Sequence, residues 1–330
     1  MEVEAFKGKN ILLTGASGFI GHALASSLTD VDCSLIRISR DCSKLLPQDG
    51  FAVIRDIEID YADPTVWNEL IAGVDIIFFL SAQTSSADAN NDPHSDFQSN
   101  VLPLLHLLEA CRESTSSPMI VFASTATVVG LTADLPVAEG LHENPITIYD
   151  IHKLCCEKYL SYYASKQYVT SCSLRLANVY GPGVSSSRAD RGILNMMIRR
   201  ATRQENLTIY GDGLRLRDYS YISDIVSAFM AAAAHSDKTN GNIFNIGSGK
   251  GHTFIDAFGE ITRCAKERLG TEVLVAHVDA PNNLDQIETR NYVADTTNFM
   301  KATGWSALVD LKTGVQQTLD QFIENKLSQK

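Results

Sequence analysis

A strand, a glycine-punctuated turn and a helix follow one another near the start of this chain, and that order leaves few ways to fold. Asn10-Ile-Leu-Leu-Thr14 is a short apolar run that reads as a buried strand. Gly15-Ala-Ser-Gly18-Phe-Ile-Gly21 follows, and apolar residues then recur at Phe19, Ile20, Ala23, Leu24 and Leu28, the spacing of one helical face. A tight turn that delivers a strand into a helix aims backbone N–H groups and the positive helix end at one point, which is a cradle for phosphate. The spacing is GxxGxxG rather than GxGxxG, and alone it also describes an ordinary turn.

The alternation continues. Segments 33–38, 51–55, 74–80, 118–124 and 169–176 join 10–14 as expected buried strands, with helices expected over 19–29, 64–72, 96–113 and 148–166. Such alternation implies an α/β fold, a Rossmann-type doubly wound parallel sheet with helices on both faces. Ligands of such a sheet bind beyond the carboxyl ends of the strands. The glycine turn, Ser81-Ala82, Ser124-Thr125 and Arg175 to Asn178 all fall there.

At 330 residues and 45% hydrophobic content the chain can bury a sizeable core. A net charge of −11 argues against nonspecific binding to nucleic acid or an anionic membrane. An anionic ligand must therefore be met by local donors. Seven cysteines without a CxxC pair, and a start without a signal peptide, lead to the expectation of a reducing, cytoplasmic compartment. The longest apolar runs, such as Val74 to Leu80, are too short to span a bilayer. Eight histidines with no HExxH give no reason to expect a metal.

In Tyr149-Asp-Ile-His-Lys153, the tyrosine and lysine are four apart and share a helix face. A free tyrosine titrates at roughly 10, too high for a base at neutral pH. A nearby ammonium and a nicotinamide ring would favour the phenolate. Bringing the tyrosine to about 7 requires roughly 4 kcal/mol of differential stabilisation. The same spacing also fits a core aromatic beside a solvated lysine. Ser124 and Thr125 end a strand, where they could serve only to cap the next turn. His152, Cys155 and Cys156 on the same helix read as packing.

Further motifs decide between these readings. In chain order they are Thr14-Gly-Ala-Ser-Gly-Phe-Ile-Gly21, Phe79-Leu-Ser-Ala-Gln-Thr84, Asp96-Phe-Gln-Ser-Asn100-Val101 and Ala123-Ser-Thr-Ala-Thr-Val-Val-Gly130. Leu174-Arg-Leu-Ala-Asn-Val-Tyr-Gly-Pro182, Ile209-Tyr-Gly-Asp-Gly213, Arg217-Asp-Tyr219, Ile222-Ser-Asp-Ile225 and Phe244-Asn-Ile-Gly-Ser-Gly249 follow. Over nearly its whole length the chain resembles the extended short-chain dehydrogenase/reductase family, in its nucleotide-sugar epimerase and dehydratase branch.

The resemblance implies a division of labour. Residues 1–177 would form the dinucleotide-binding domain, with 218–247 returning to it, and 178–217 and 248–330 would form the nucleotide-sugar lobe. Gly15, Ser17, Gly18, Phe19, Ile20 and Gly21 would surround the cofactor, with Leu80, Ser81, Ala82 and Asn100 as further contacts. Asp60 would hold the adenine, with Tyr61 beside it as a further cofactor contact. Thr125 would hydrogen-bond the sugar oxygen being oxidised, with Ser124 as its support, while Tyr149 acts as base and Lys153 as its cationic partner. For the substrate, Thr84 and Asn178 would meet the sugar or pyrophosphate, and Thr208 and Tyr210 the base. Arg217 would clamp the diphosphate, since guanidinium offers paired donors. Tyr292, with Arg290 nearby, lies near the last substrate segment.

Two departures sharpen the reading. NAD-using relatives close the second strand with an Asp, whereas this chain has Ser39 followed by Arg40. A missing carboxylate plus an arginine suits a 2′-phosphate, so NADP is favoured over NAD, unless Arg40 merely faces solvent. Dehydratases of the family carry Asp-Glu after the catalytic Thr, and decarboxylases a Glu; here Ala126-Thr127 stands there. The expected activity is therefore a nucleotide-sugar 4-epimerase. An NADPH-dependent 4-ketosugar reductase is the alternative, and a non-catalytic NADP-sensing protein the reading from another class. The expected partners are a nucleotide-diphosphate sugar and a second copy in a homodimer, with neither nucleic acid nor membrane.

Overall fold

The computed structural model describes residues 2–184, 192–281 and 284–328. Its strands in chain order are β1 (Asn10–Thr14), β2 (Ser34–Ser39), β3 (Val53–Glu58), β4 (Ile76–Phe79), β5 (Met119–Thr125), β6 (Thr170–Leu176), β7 (Asn178–Tyr180), β8 (Leu207–Tyr210), β9 (Leu216–Tyr221), β10 (Asn242–Ile246), β11 (Gly251–Thr253) and β12 (Val275–Val278). Seven of them form one parallel sheet in the order β10-β6-β5-β4-β1-β2-β3. The order reverses beside β1, as in a doubly wound Rossmann-type sheet, and ligands bind at such a reversal.

Strand periodicity explains the layers. Side chains two apart share a face, so Ile76 and Phe78 join one buried cluster and Ile77 and Phe79 the other. Leu24 and Leu28 of helix Phe19–Thr29 and Phe229 of helix Ile222–Ala234 close the first layer. Leu104, Leu107 and Leu108 of helix Leu102–Glu113 and Cys156 and Leu160 of helix Ile148–Ser165 close the second. A smaller lobe carries the sheets β11-β9-β7 and β12-β8. Helices Ile193–Thr202, Phe254–Leu269 and Leu311–Ser328 surround its own core around Leu207, Phe258 and Val315.

Three elements depart from the sequence expectation. The third strand lies at 53–58 rather than 51–55, because Ser34 pairs with Val53 and the N–H groups of Phe51 and Ala52 both turn back to the Thr29 carbonyl. The helix expected over 96–113 divides at Val101, since Pro103 has no N–H to continue the ladder. The lobes also interleave more than a single return over 218–247. β9 begins at Leu216 and pairs within the small lobe, whereas in the large core Phe299 packs against Phe244 and Trp305 against Phe299.

The glycine turn closes on itself tightly enough to exclude any side chain. A Cβ on Gly21 would lie 2.2 Å from the Gly15 carbonyl oxygen. Gly21→Ala should destabilise the fold by about 1–3 kcal/mol, the scale of an overpacked site. Gly259, mid-helix with nothing within 4 Å of where a methyl would stand, is the opposite case. Gly259→Ala should stabilise by about 0.5–1 kcal/mol. Urea denaturation of both variants checks the contrast.

Candidate active site

Backbone closure builds the first half of the site. Gly15 has φ +68°, and a Cβ there would meet the Ser81 nitrogen at 2.8 Å. The Thr14 hydroxyl accepts from Leu80 N (2.9 Å) and Ser81 N (3.0 Å), joining the carboxyl ends of β1 and β4. Gly18 N–H bonds the Gly15 carbonyl at 2.9 Å. Helix Phe19–Thr29 then starts at Gly18 with no side-chain cap and no acidic residue in its first turn. The first N–H groups of that helix follow a turn with no room for a Cβ at Gly15 or Gly21, which fits a backbone cradle for a dinucleotide pyrophosphate. Phe19 and Ile20 pack against the small lobe's core, so this turn also borders the second lobe.

Hydroxyl groups shape the region beside the glycine turn at the end of β2, where the adenosine end is expected. Ser39 is buried, with its hydroxyl 3.1 Å from that of Ser17 and donating to the Asp41 carbonyl at 3.0 Å. Arg40 beside it is exposed. Tyr61 is buried and its hydroxyl bridges two backbones, accepting from Gly15 N (3.2 Å) and donating to the Ile38 carbonyl (3.0 Å). Burial pushes its pKa up to about 12, against the lowering effect of the Gly15 contact. Tyr61 thus holds the glycine turn to β2, while Asp60 stays exposed. Asn100 is buried and grips the loop after β4, accepting from Gln83 N (2.8 Å) and donating to the Gln83 carbonyl (2.9 Å). Leu80, Ser81 and Ala82 are half-buried along that loop and Thr84 is exposed.

The second half lies where β5 meets helix Ile148–Ser165. Thr147 caps this helix by accepting from Asp150 N. Lys153, 3% exposed, donates to the Ala123 carbonyl at 2.8 Å and lies 4.6 Å from the Phe122 ring centroid and 5.9 Å from that of Tyr149. Burial lowers its pKa to about 8, against the opposing pull of Cys156, Asp96 and Glu157. Thr125 ends β5 half-buried and does cap the following turn, accepting from Thr127 N at 3.3 Å. Ser124 is buried and donates to the Glu157 carboxylate. Glu157 is 0% exposed and takes the guanidinium of Arg175, itself 1% exposed, through Nε (3.0 Å) and Nη2 (2.7 Å).

Glu157 was missed by sequence reasoning, although it stands four residues beyond Lys153 on the same helix face. His152, expected only to pack, has its Nδ1 2.6 Å from Asp96 Oδ2, and Asp96 also accepts from Asn100 and Gln83.

The other residues expected to meet the substrate lie in the small lobe. Asn178 is half-buried on β7 opposite Tyr219 of β9. Thr208 and Tyr210 share the outward face of β8, while Leu207 and Ile209 enter the core. Arg217 is buried, donating to the carbonyls of Leu216 (3.1 Å), Glu288 (2.8 Å) and Arg290. Burial lowers its pKa to about 10. Its first task is therefore to tie β9 to segment 286–290. Tyr292 is buried, and its hydroxyl and the Arg290 Nε have no hydrogen-bond partner among the described residues.

Residues 11–247 match the family model described as the NAD dependent epimerase/dehydratase family. An uncharacterized UDP-glucose epimerase of Bacillus subtilis is 34% identical over 237 residues, covering 67% of this chain and 71% of the relative. UDP-glucose 4-epimerase of Mycolicibacterium smegmatis is 26% identical over 326 residues, covering 96% of this chain and 98% of its own length. The crystal structure of UDP-glucose 4-epimerase from Thermotoga maritima with UDP-glucose superimposes with a TM-score of 0.83 at 26% identity, covering 96% of this chain and 99% of that one.

A lysine that titrates at about 8 is an ammonium at neutral pH and loses its charge above that value. Loss of that charge should set an upper limit at about pH 8, beyond which turnover stays low, and Lys153→Met should be slow at every pH. Steady-state rates across pH test this, and a wild-type profile still rising well above pH 8 would remove the ammonium from the chemistry.

Proposed function

Because the chain belongs to the NAD-dependent epimerase/dehydratase family, a family of enzymes, we propose that it is a nucleotide-sugar 4-epimerase working through a transient 4-keto sugar. One observation carries the reading. Thr125, Tyr149 and Lys153 stand at the end of β5 and the start of its helix, and the two positions after Thr125 are Ala126 and Thr127 instead of acidic residues. Elimination or decarboxylation would need an extra acid or base there. Relatives named as UDP-glucose epimerases support a UDP-hexose as substrate class.

Bound nicotinamide would supply a hydride acceptor and donor. The glycine turn holds the pyrophosphate, and the loop tied down by Asn100 lines the route toward the sugar. Tyr149 takes the C4 hydroxyl proton, with the Lys153 ammonium stabilising its phenolate. Thr125 holds the C4 oxygen. Tyr149 then returns the proton after the sugar has presented its other face, so the protein ends each cycle as it began. Asn178 and the segment tied by Arg217 and Arg290 hold the diphosphate, and Thr208 and Tyr210 border the base. Ser39 and exposed Arg40 favour NADP over NAD, because no carboxylate closes β2 and a cation is at hand for a 2′-phosphate. Arg40 also keeps open the alternative of an NADPH-dependent 4-ketosugar reductase. We propose a homodimer as the assembly.

Turnover separates the two activities. An epimerase should interconvert a UDP-hexose pair with no net change in nicotinamide absorbance. Tyr149→Phe should bind cofactor yet lose at least about two orders of magnitude in rate. Stoichiometric NADPH oxidation by a 4-keto nucleotide sugar would instead establish the reductase.

Cofactor choice is read by calorimetry. Arg40→Ala should weaken NADP about ten- to hundred-fold, the scale of one charged hydrogen bond, and NAD little. Equal losses for both would return NAD to first place.

A further inference from the structure

A chain of three side chains leads away from the proposed sugar site into the protein. The hydroxyls of Thr125 and Thr127 lie 2.7 Å apart. The Thr127 hydroxyl also bonds Asp150 Oδ1, while Asp150 Oδ2 is buried with no hydrogen-bond partner among the described residues. Asp150 is 1% exposed and is the residue next to Tyr149. The helix cap itself is the Thr147 hydroxyl, which accepts from the Asp150 backbone N–H.

We propose that Asp150 is a positioning residue for Thr125, acting through Thr127 to decide whether the Thr125 hydroxyl donates or accepts at the sugar's C4 oxygen. The inference rests on the 4-keto chemistry proposed above and follows from counting donors. A hydroxyl has one hydrogen and two acceptor sites, and an ionised carboxylate only accepts. With Asp150 ionised, Thr127 must donate to it and can only accept from Thr125. The Thr125 hydrogen is then spent, and a lone pair faces the substrate. With Asp150 protonated, the chain reverses: Asp150 donates to Thr127, and Thr127 donates to Thr125. Thr125 already accepts from Thr127 N. Both its acceptor sites are then filled, and its hydrogen is directed at the sugar.

A ketone oxygen only accepts, so the 4-keto intermediate needs the protonated arrangement. The surroundings favour it. Burial raises the Asp150 pKa, against hydrogen bonds from Thr127 and Thr147 and the charge of Arg290, and Asp285 adds to the rise. The unpartnered Oδ2 points the same way, because a neutral carboxyl loses less than a carboxylate when one oxygen lies dry. The charges of Asp96 and Glu157 act on Lys153.

The test compares kcat and KM across pH for wild type, Asp150→Asn, Thr127→Val, Thr127→Ser and the Asp150→Asn/Thr127→Val pair. Wild-type kcat should decline as pH rises through the Asp150 ionisation. Asp150→Asn, which cannot ionise, should extend the plateau to the Lys153 limb. Thr127→Val should lower kcat about tenfold, the scale of one hydrogen bond, with KM near wild type. Thr127→Ser should recover the loss, and adding Asp150→Asn to Thr127→Val should change nothing more. An Asp150→Asn profile matching wild type, or independent effects in the pair, overturns the proposal. If wild type shows neither epimerase nor reductase turnover, the proposed function fails, and infrared titration still judges the chain. A protonated-carboxyl band should vanish in Asp150→Asn and shift in Thr127→Val, and a band indifferent to Thr127 overturns the link.

Discussion

The site depends on the buried pairing of Arg175 with Glu157. Two opposite charges in a core are costly unless their geometry is good and their remaining hydrogen-bonding capacity is used. Here the guanidinium reaches both carboxylate oxygens from Nε and Nη2, and Ser124 donates to the same carboxylate. A second carboxylate, Glu143, accepts from Arg175 at 2.9 Å. The pair joins β6 to helix Ile148–Ser165, and Ser124 adds β5. Sliding the helix by one residue would strand two buried charges, so its register is fixed. Lys153 stands one turn from Glu157 and Tyr149 two turns. Fixing the pair therefore fixes where the lysine meets the Ala123 carbonyl and where the tyrosine emerges.

That register explains how a fully enclosed lysine stays useful. Desolvation works against its charge. The Ala123 carbonyl, the Phe122 ring face and the carboxylates of Asp96 and Glu157 oppose that loss. The balance leaves a lysine that is cationic at neutral pH and near its titration. Exclusion from water strengthens its effect on a neighbouring phenolate, because the field is less screened.

Much of the fold was legible because strand and helix periods are local. The apolar runs placed β1, β2, β4, β5 and β6 to within two residues, and Thr14 and the glycines marked the cradle. The third strand misled because Phe51 and Val53 are apolar yet exposed at the sheet edge, where register and not burial sets the boundary. The interleaving of lobes was illegible because Phe299 lies far in sequence from the Phe244 it packs against. Glu157 and His152 escaped notice for a shared reason. Their roles depend on partners in other elements, Arg175 and Asp96, and spacing within one helix cannot name those.

His152 belongs to the contact that makes the two halves of the site act together. Asp96 accepts from the Asn100 and Gln83 amides on one carboxylate oxygen and lies against His152 on the other. Asn100 in turn holds Gln83 through its own amide, and the Cys156 thiol donates to the Asn100 carbonyl at 3.2 Å. The loop after β4 and the helix bearing Tyr149 are thus tied through one buried carboxylate. Each element alone is a short segment with its own freedom, and productive chemistry needs the reacting groups held to a fraction of an ångström. Satisfying the acceptors of Asp96 ties the loop to the helix, so the demand to leave no buried carboxylate unpaired also aligns the proposed cofactor side with the base.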